Sequence, residues 1–126
     1  MDTVNCQLCQ IDKINVVIES QYCLFTQIPQ KVLKGSGIIV PRAHRMSVFE
    51  LTEEEWIDTR EMLQRVKILL DEEYRPDGYN LGWNVGGVAG QEIFHAHLHV
   101  IPRFRDEPFA GKGIRWWLKQ KENVRQ

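Results

Sequence analysis

Seven residues, His95-Ala96-His97-Leu98-His99-Val100-Ile101, constrain the fold more than any other stretch of the chain. Imidazole and apolar side chains alternate with a period of two, which suits a strand and not a helix. In a strand the three histidines share one face, about 6.6 Å apart, while Ala96, Leu98 and Val100 share the other. The apolar face needs a core to cover it. The polar face gathers three of the four histidines in the chain. An incidental polar face is the bland alternative, but imidazole is a costly group to place on a half-buried strand.

The rest of the chain supplies partners for such a strand. Residues 14–19 and 22–28 read as two strands, with Ser20-Gln21 as the turn between them. Gly35-Ser36-Gly37 leads into a third, Ile38-Ile39-Val40, stopped by Pro41. Thr52-Glu53-Glu54-Glu55 is a capping-box pattern that opens one long helix, and its glutamates suit the positive helix end. Trp56, Thr59, Leu63, Val66 and Leu70 recur at helical spacing as an apolar stripe. Pro76-Asp77-Gly78 ends the helix. Residues 79–85 read as a fourth strand, Gly86, Gly87 and Gly90 punctuate a loop, and residues 94–101 form the last strand. Strands, one helix, then more strands imply an α+β fold with the helix packed on an antiparallel sheet. The 126 residues read as one domain with a C-terminal tail over 103–126.

Charge narrows the function. The formal net charge is −1, which argues against nucleic-acid binding through a broad basic surface. Residues 103–126 nevertheless hold seven basic against three acidic side chains. That run reads as a solvated face, or else as local attraction for a small polyanion. The first residues carry neither a basic lead nor an apolar run, so no signal peptide is expected. No segment approaches the ~18 apolar residues of a membrane span. Three cysteines without a secretory signal point to reduced thiols and a cytoplasmic location.

A neutral imidazole is a nucleophile near pH 7. Attack on phosphorus gives a phospho-histidine that water reopens. The loop Gly86-Gly87-Val88-Ala89-Gly90-Gln91, just before the histidines, can offer backbone donors to an anion. Cys6-Gln7-Leu8-Cys9 has the spacing of half a zinc site, with His44 and His95 as candidate partners. Two plain reduced thiols and a redox pair are the alternatives, the latter without a thioredoxin-like context. Cys23 reads as core. Of Trp116 and Trp117, one is expected to pack and the other to line a subunit contact or the leaving-group side of the site.

Gly35 to His44, containing Val40-Pro41-Arg42-Ala43-His44, and Ala89 to Arg103, containing the three histidines, resemble the histidine-triad (HIT) superfamily. The resemblance runs from about residue 5 to 105. It implies a five-stranded antiparallel sheet with helices, a homodimer, and a nucleotide hydrolase or transferase acting at an α-phosphate. It makes His97 the nucleophile. His99 would contact the phosphate and, through its carbonyl, orient the His97 ring. Asn84, Gly90 and Gln91 would serve the phosphate region, with the Gly90 N–H facing the anion. Phe25, Gln27 and Ile28 would surround the nucleoside. Zinc-binding relatives imply a structural Cys2His2 site of Cys6, Cys9, His44 and His95, and no catalytic metal. Two positions depart from the pattern. Gln27 stands where many relatives have an acid for the ribose, and Glu92 where many have Ser or Thr for the leaving group. The expected substrates are dinucleoside polyphosphates, adenosine phosphoramidates or related AMP conjugates. A non-catalytic nucleotide-binding module is the first rival. A metallohydrolase ligated by His95, His97 and His99 is the second.

Overall fold

The computed structural model describes residues 5–10, 15–27 and 29–125. Its strands are β1 (Val16–Glu19), β2 (Cys23–Gln27), β3 (Gly37–Pro41), β4 (Gly78–Trp83) and β5 (Leu98–Arg103), and its one long helix is α1 (Glu53–Tyr74). They form an antiparallel sheet in the order β1-β2-β3-β5-β4. Short 3-10 turns fill the connections. This is the expected α+β arrangement of five antiparallel strands, one long helix and short helices.

Alternation of side chains divides the sheet into two faces. Cys23, Phe25, Ile39, Leu98 and Val100 pack beneath α1, against Met62, Val66 and Leu70. Leu24, Ile38 and Val40 face the other way and meet Cys6 and Leu8 from the N-terminal segment. The second face carries the site.

The helix begins as expected. Thr52 accepts from the Glu55 amide, and Glu55 reaches back to the Thr52 amide. Its buried stripe keeps Thr59, Val66 and Leu70, with Leu63 partly buried against the core; Glu55 and Met62 also point inward, while Trp56 is about half exposed. Trp56 instead meets Trp83 edge-on at 6.1 Å. Glu55 can be buried because Arg45 pairs with it at 3.0 Å. Arg75 closes the helix in a left-handed conformation, one residue before Pro76.

The last strand also differs. It starts at Leu98 rather than at residue 94 and runs on through Pro102 to Arg103. The segment before it leaves the ladder because the Ala96 amide donates to the Arg45 carbonyl at 2.7 Å. In the tail, Ile114–Lys119 forms a 3-10 helix. Neither of its tryptophans is buried: their rings stack edge-on at 4.6 Å, and Trp116 lines a cleft with Val32 and Phe109. Among the described residues no helix is long and apolar enough to cross a membrane.

Candidate active site

A cavity of about 660 Å³ opens on the sheet face opposite α1. That is the size range of sites for small molecules. His97, His99, Asn84, Gly90 and Gln27, all named from the sequence, line it together with Glu92. Leu8, Thr26, Ile38, Ile93 and Pro29 supply the rest of its apolar wall. Ile38 could have been read from register, since it pairs with His99 across β3 and β5. Leu8 and Ile93 come from segments without periodicity, and no pattern marked them.

The His97 ring is held in one orientation. Its Nδ1 lies 2.7 Å from the His95 carbonyl. A carbonyl can only accept, so Nδ1 carries the proton, and in the neutral ring the Nε2 lone pair is free. The orienting carbonyl thus belongs to His95, not to His99 as the resemblance implied. A two-residue reach along an extended chain suits the ring of residue 97, whereas β5 commits the backbone at residue 99 to its sheet pairings. His99 lies beside His97, with ring centroids 4.9 Å apart. Burial first, and the neighbouring His97 second, pull the His99 pKa down from the usual imidazole value and favour its neutral form.

Two of the expected nucleotide-contact residues, Phe25 and Gln91, do not line the cavity, and a third, Gly90, lines it with its amide already engaged. Phe25 is fully buried beneath α1 and does not line the cavity. Strand parity puts Leu24 and Thr26 on the site face instead. Gln91 is also buried and is not part of the lining. Its Oε1 accepts from the Gly86 amide at 2.9 Å, and its Nε2 donates to the Met46 carbonyl at 2.7 Å. It therefore fastens the glycine loop to the segment after His44. The Gly90 amide does not face an anion either: it donates to the Gly87 carbonyl at 3.0 Å within a 3-10 turn. Gly90 is needed for its positive φ of 98°. Asn84 Nδ2 makes only a long contact, 3.5 Å, to the Gly90 carbonyl, so its amide can turn to a phosphate. Ile28 lies outside the described residues.

Cys6, Cys9, His44 and His95 bring one donor atom each to within 4.8 Å of one another. A 3-10 turn, closed by the Cys9 amide on the Cys6 carbonyl, sets the two thiols side by side. Cys9 Sγ lies 3.0 Å from His44 Nδ1, and both sulfurs lie 3.5 Å from His95 Nδ1. A tetrahedral ion with Zn–S of ~2.3 Å and Zn–N of ~2.1 Å needs donors about 3.3–3.8 Å apart. His95 is also in the correct tautomer. Its Nε2 donates to the Pro41 carbonyl at 2.8 Å, which turns the Nδ1 lone pair towards the sulfurs. Burial, with Cys6 adding to it, pushes the Cys9 thiol up to about 11 when no ion is bound. The donor set fits a zinc ion. Among the described residues this is the grouping that could hold a metal, and it includes neither His97 nor His99.

Known proteins carry the same architecture. The HIT domain family matches residues 10–106. The chain is 33% identical to Protein hit of Bacillus subtilis over 105 residues, which is 79% of this chain and 72% of that protein. It is 30% identical over 115 residues to an adenosine 5'-monophosphoramidase of Saccharomyces cerevisiae, covering 88% of this chain and 69% of that one. A crystal structure of a HIT family protein from Bacillus anthracis superposes with a TM-score of 0.75 at 32% identity, covering 82% of this chain and 76% of that one. With the matched region spanning most of the described residues, the chain belongs to the HIT family.

Proposed function

We propose that this protein is a nucleotide hydrolase or nucleotidyl transferase that cleaves at the α-phosphate of an AMP conjugate by way of a nucleotidyl-His97 intermediate. One observation carries the reading: the ring of His97 is fixed at Nδ1 by the His95 carbonyl, with Nε2 left for a substrate, in a cavity of small-molecule size. Nε2 attacks phosphorus, and the bond to the leaving group breaks with its electron pair. The leaving atom takes a proton from solvent. Water then adds to phosphorus, loses a proton to solvent, and the P–N pair returns to Nε2 as AMP departs. Asn84 and His99 supply the polar contacts to the phosphoryl oxygens, and Ile38, Leu8 and Ile93 give the nucleoside an apolar seat. Dinucleoside polyphosphates and adenosine phosphoramidates are the candidate substrates.

Cys6, Cys9, His44 and His95 are proposed to hold a structural zinc, which stabilises the fold and leaves no vertex for a substrate when all four ligands bind. We also propose a homodimer. The outer edge of β4 pairs with no other described strand, and Trp56 and Leu81 lie exposed beside it.

The test is trapping. Wild-type protein mixed with α-phosphate-labelled substrate and quenched in alkali is expected to carry label. His97→Ala is expected to carry none and to lose turnover by about a thousandfold or more. Full activity in His97→Ala sinks the mechanism. Tight AMP binding with no turnover across the panel selects the non-catalytic module instead.

A further inference from the structure

Glu92 stands between two cavities. One is the cavity of His97 and His99. The other, about 440 Å³, is walled by Asn5, Met46, Phe94 and two of the proposed zinc ligands, Cys6 and His44, and Gln7, Glu92 and Ile93 line both. Among the described residues lining either cavity there is no lysine or arginine, and Glu92 is the one carboxylate. Glu92 is exposed, and it makes no ion pair with a described residue. A carboxylate with no lysine or arginine beside it, next to a cluster whose two thiolates would balance a zinc ion, repels an extended polyphosphate and attracts an ammonium. Phe94, about half exposed in the same cleft, adds an aromatic ring, a second kind of group that favours a cation.

We infer that the second cleft is a leaving-group subsite for amines, in which Glu92 selects AMP conjugates whose leaving group carries a positive charge. This rests on the proposed attack by His97. The P–N bond of such a phosphoramidate breaks as the P–Nε2 bond forms. The departing nitrogen keeps the electron pair and takes a proton from solvent. Glu92 transfers no proton. It binds the distal ammonium, and so acts as a specificity determinant.

Three amides of AMP with leaving groups of similar length test this: one of butylamine, one of a diamine with a free ammonium, and one of an amino acid with a free carboxylate. In wild-type protein kcat/KM is expected to favour the cationic over the neutral amide by about fivefold, and the neutral over the anionic by a similar factor. Glu92→Gln is expected to bring the ratios near one, and Glu92→Lys to invert them. Added salt is expected to shrink the wild-type ratios, which a purely structural role would not do. Equal rates in wild type, or an unchanged preference in Glu92→Gln, overturn the inference. Calorimetric titration of the same amides into His97→Ala separates the two readings. The cationic-first order of affinity without turnover in wild type sinks the nucleophile and keeps the subsite. Turnover with a flat order of affinity does the reverse.

Discussion

Replacing Glu55 by glutamine is expected to destabilise the protein by about 2–3 kcal/mol. The side chain is 3% exposed. Its oxygens accept from Arg45 Nε at 3.0 and 3.3 Å, from Arg45 Nη2 at 3.2 Å, and from the Thr52 amide at 2.8 Å. Glutamine keeps the volume and one oxygen for Thr52, but it turns an amide towards a guanidinium. Removing one partner of a buried pair costs about 3–5 kcal/mol. Arg45 is 32% exposed, so water recovers part of that loss. For 126 residues the midpoint of thermal unfolding is then expected to fall by roughly 8–12 °C. Acid supplies a second readout. Burial pushes the Glu55 carboxyl up, but the Arg45 guanidinium and the Thr52 amide outweigh it and hold the group below its usual value of 4.5. The fold therefore favours the ionised form. This contribution is fully present above the unfolded value and is lost as pH falls through the lower, folded one. Urea unfolding followed by circular dichroism, on wild type, Glu55→Gln, Arg45→Gln and the double variant, measures both effects. A Glu55→Gln loss under about 0.5 kcal/mol, or strictly additive single losses, refutes the reasoning.

Other consequences are simpler to test. A Cβ on Gly37 would lie 2.5 Å from the Thr26 carbonyl oxygen and 2.6 Å from the Phe25 ring, so Gly37→Ala is expected to cost about 3 kcal/mol in urea unfolding; an unmoved midpoint would show that the strands can part. Chelation is expected to lower the thermal midpoint of the purified protein and zinc to restore it, whereas Cys9→Ser should start low and respond to neither. Cys23 is fully buried, and burial pushes its thiol up to about 11, so iodoacetamide at pH 8 should reach it only after unfolding. Mass spectrometry that finds native-state alkylation of Cys23 would contradict that burial.

The fold was legible wherever sequence period and local chemistry agree. The capping box at Thr52 and Glu55 is such a case, because its two hydrogen bonds join residues three apart. The helix stripe departs from its sequence period only at its start, where Glu55 and not Trp56 is buried, and the reason is non-local. A glutamate reads as exposed until Arg45, ten residues upstream, is known to lie beside it. Phe25 was assigned to the wrong side because Cys23-Leu24-Phe25 is apolar on both faces and so has no parity of its own. Pairing with Ile39 and contact with α1 decide the matter. Gln91 and Gly90 were correctly placed in the loop but given the wrong task. A sequence shows which groups can meet an anion, not which are already engaged by Met46, Gly86 or Gly87.

His95 explains why three alternating histidines end in two different sites. Its ring leaves the substrate cavity and turns to the cysteines, fixed by the Pro41 carbonyl at the end of β3. Its carbonyl remains on the substrate side and fixes His97. The amide of the next residue, Ala96, is tied to Arg45, and Arg45 is tied to Glu55 at the start of α1. The backbone between the His95 ring and the His97 ring is therefore held from β3, from α1 and from the cysteine turn. A β-ladder continued back to residue 94 would engage the carbonyl of His95 with a neighbouring strand and take it from His97. Ending the strand at Leu98 frees that carbonyl, so the departure from the expected strand is what gives the His97 ring its orientation.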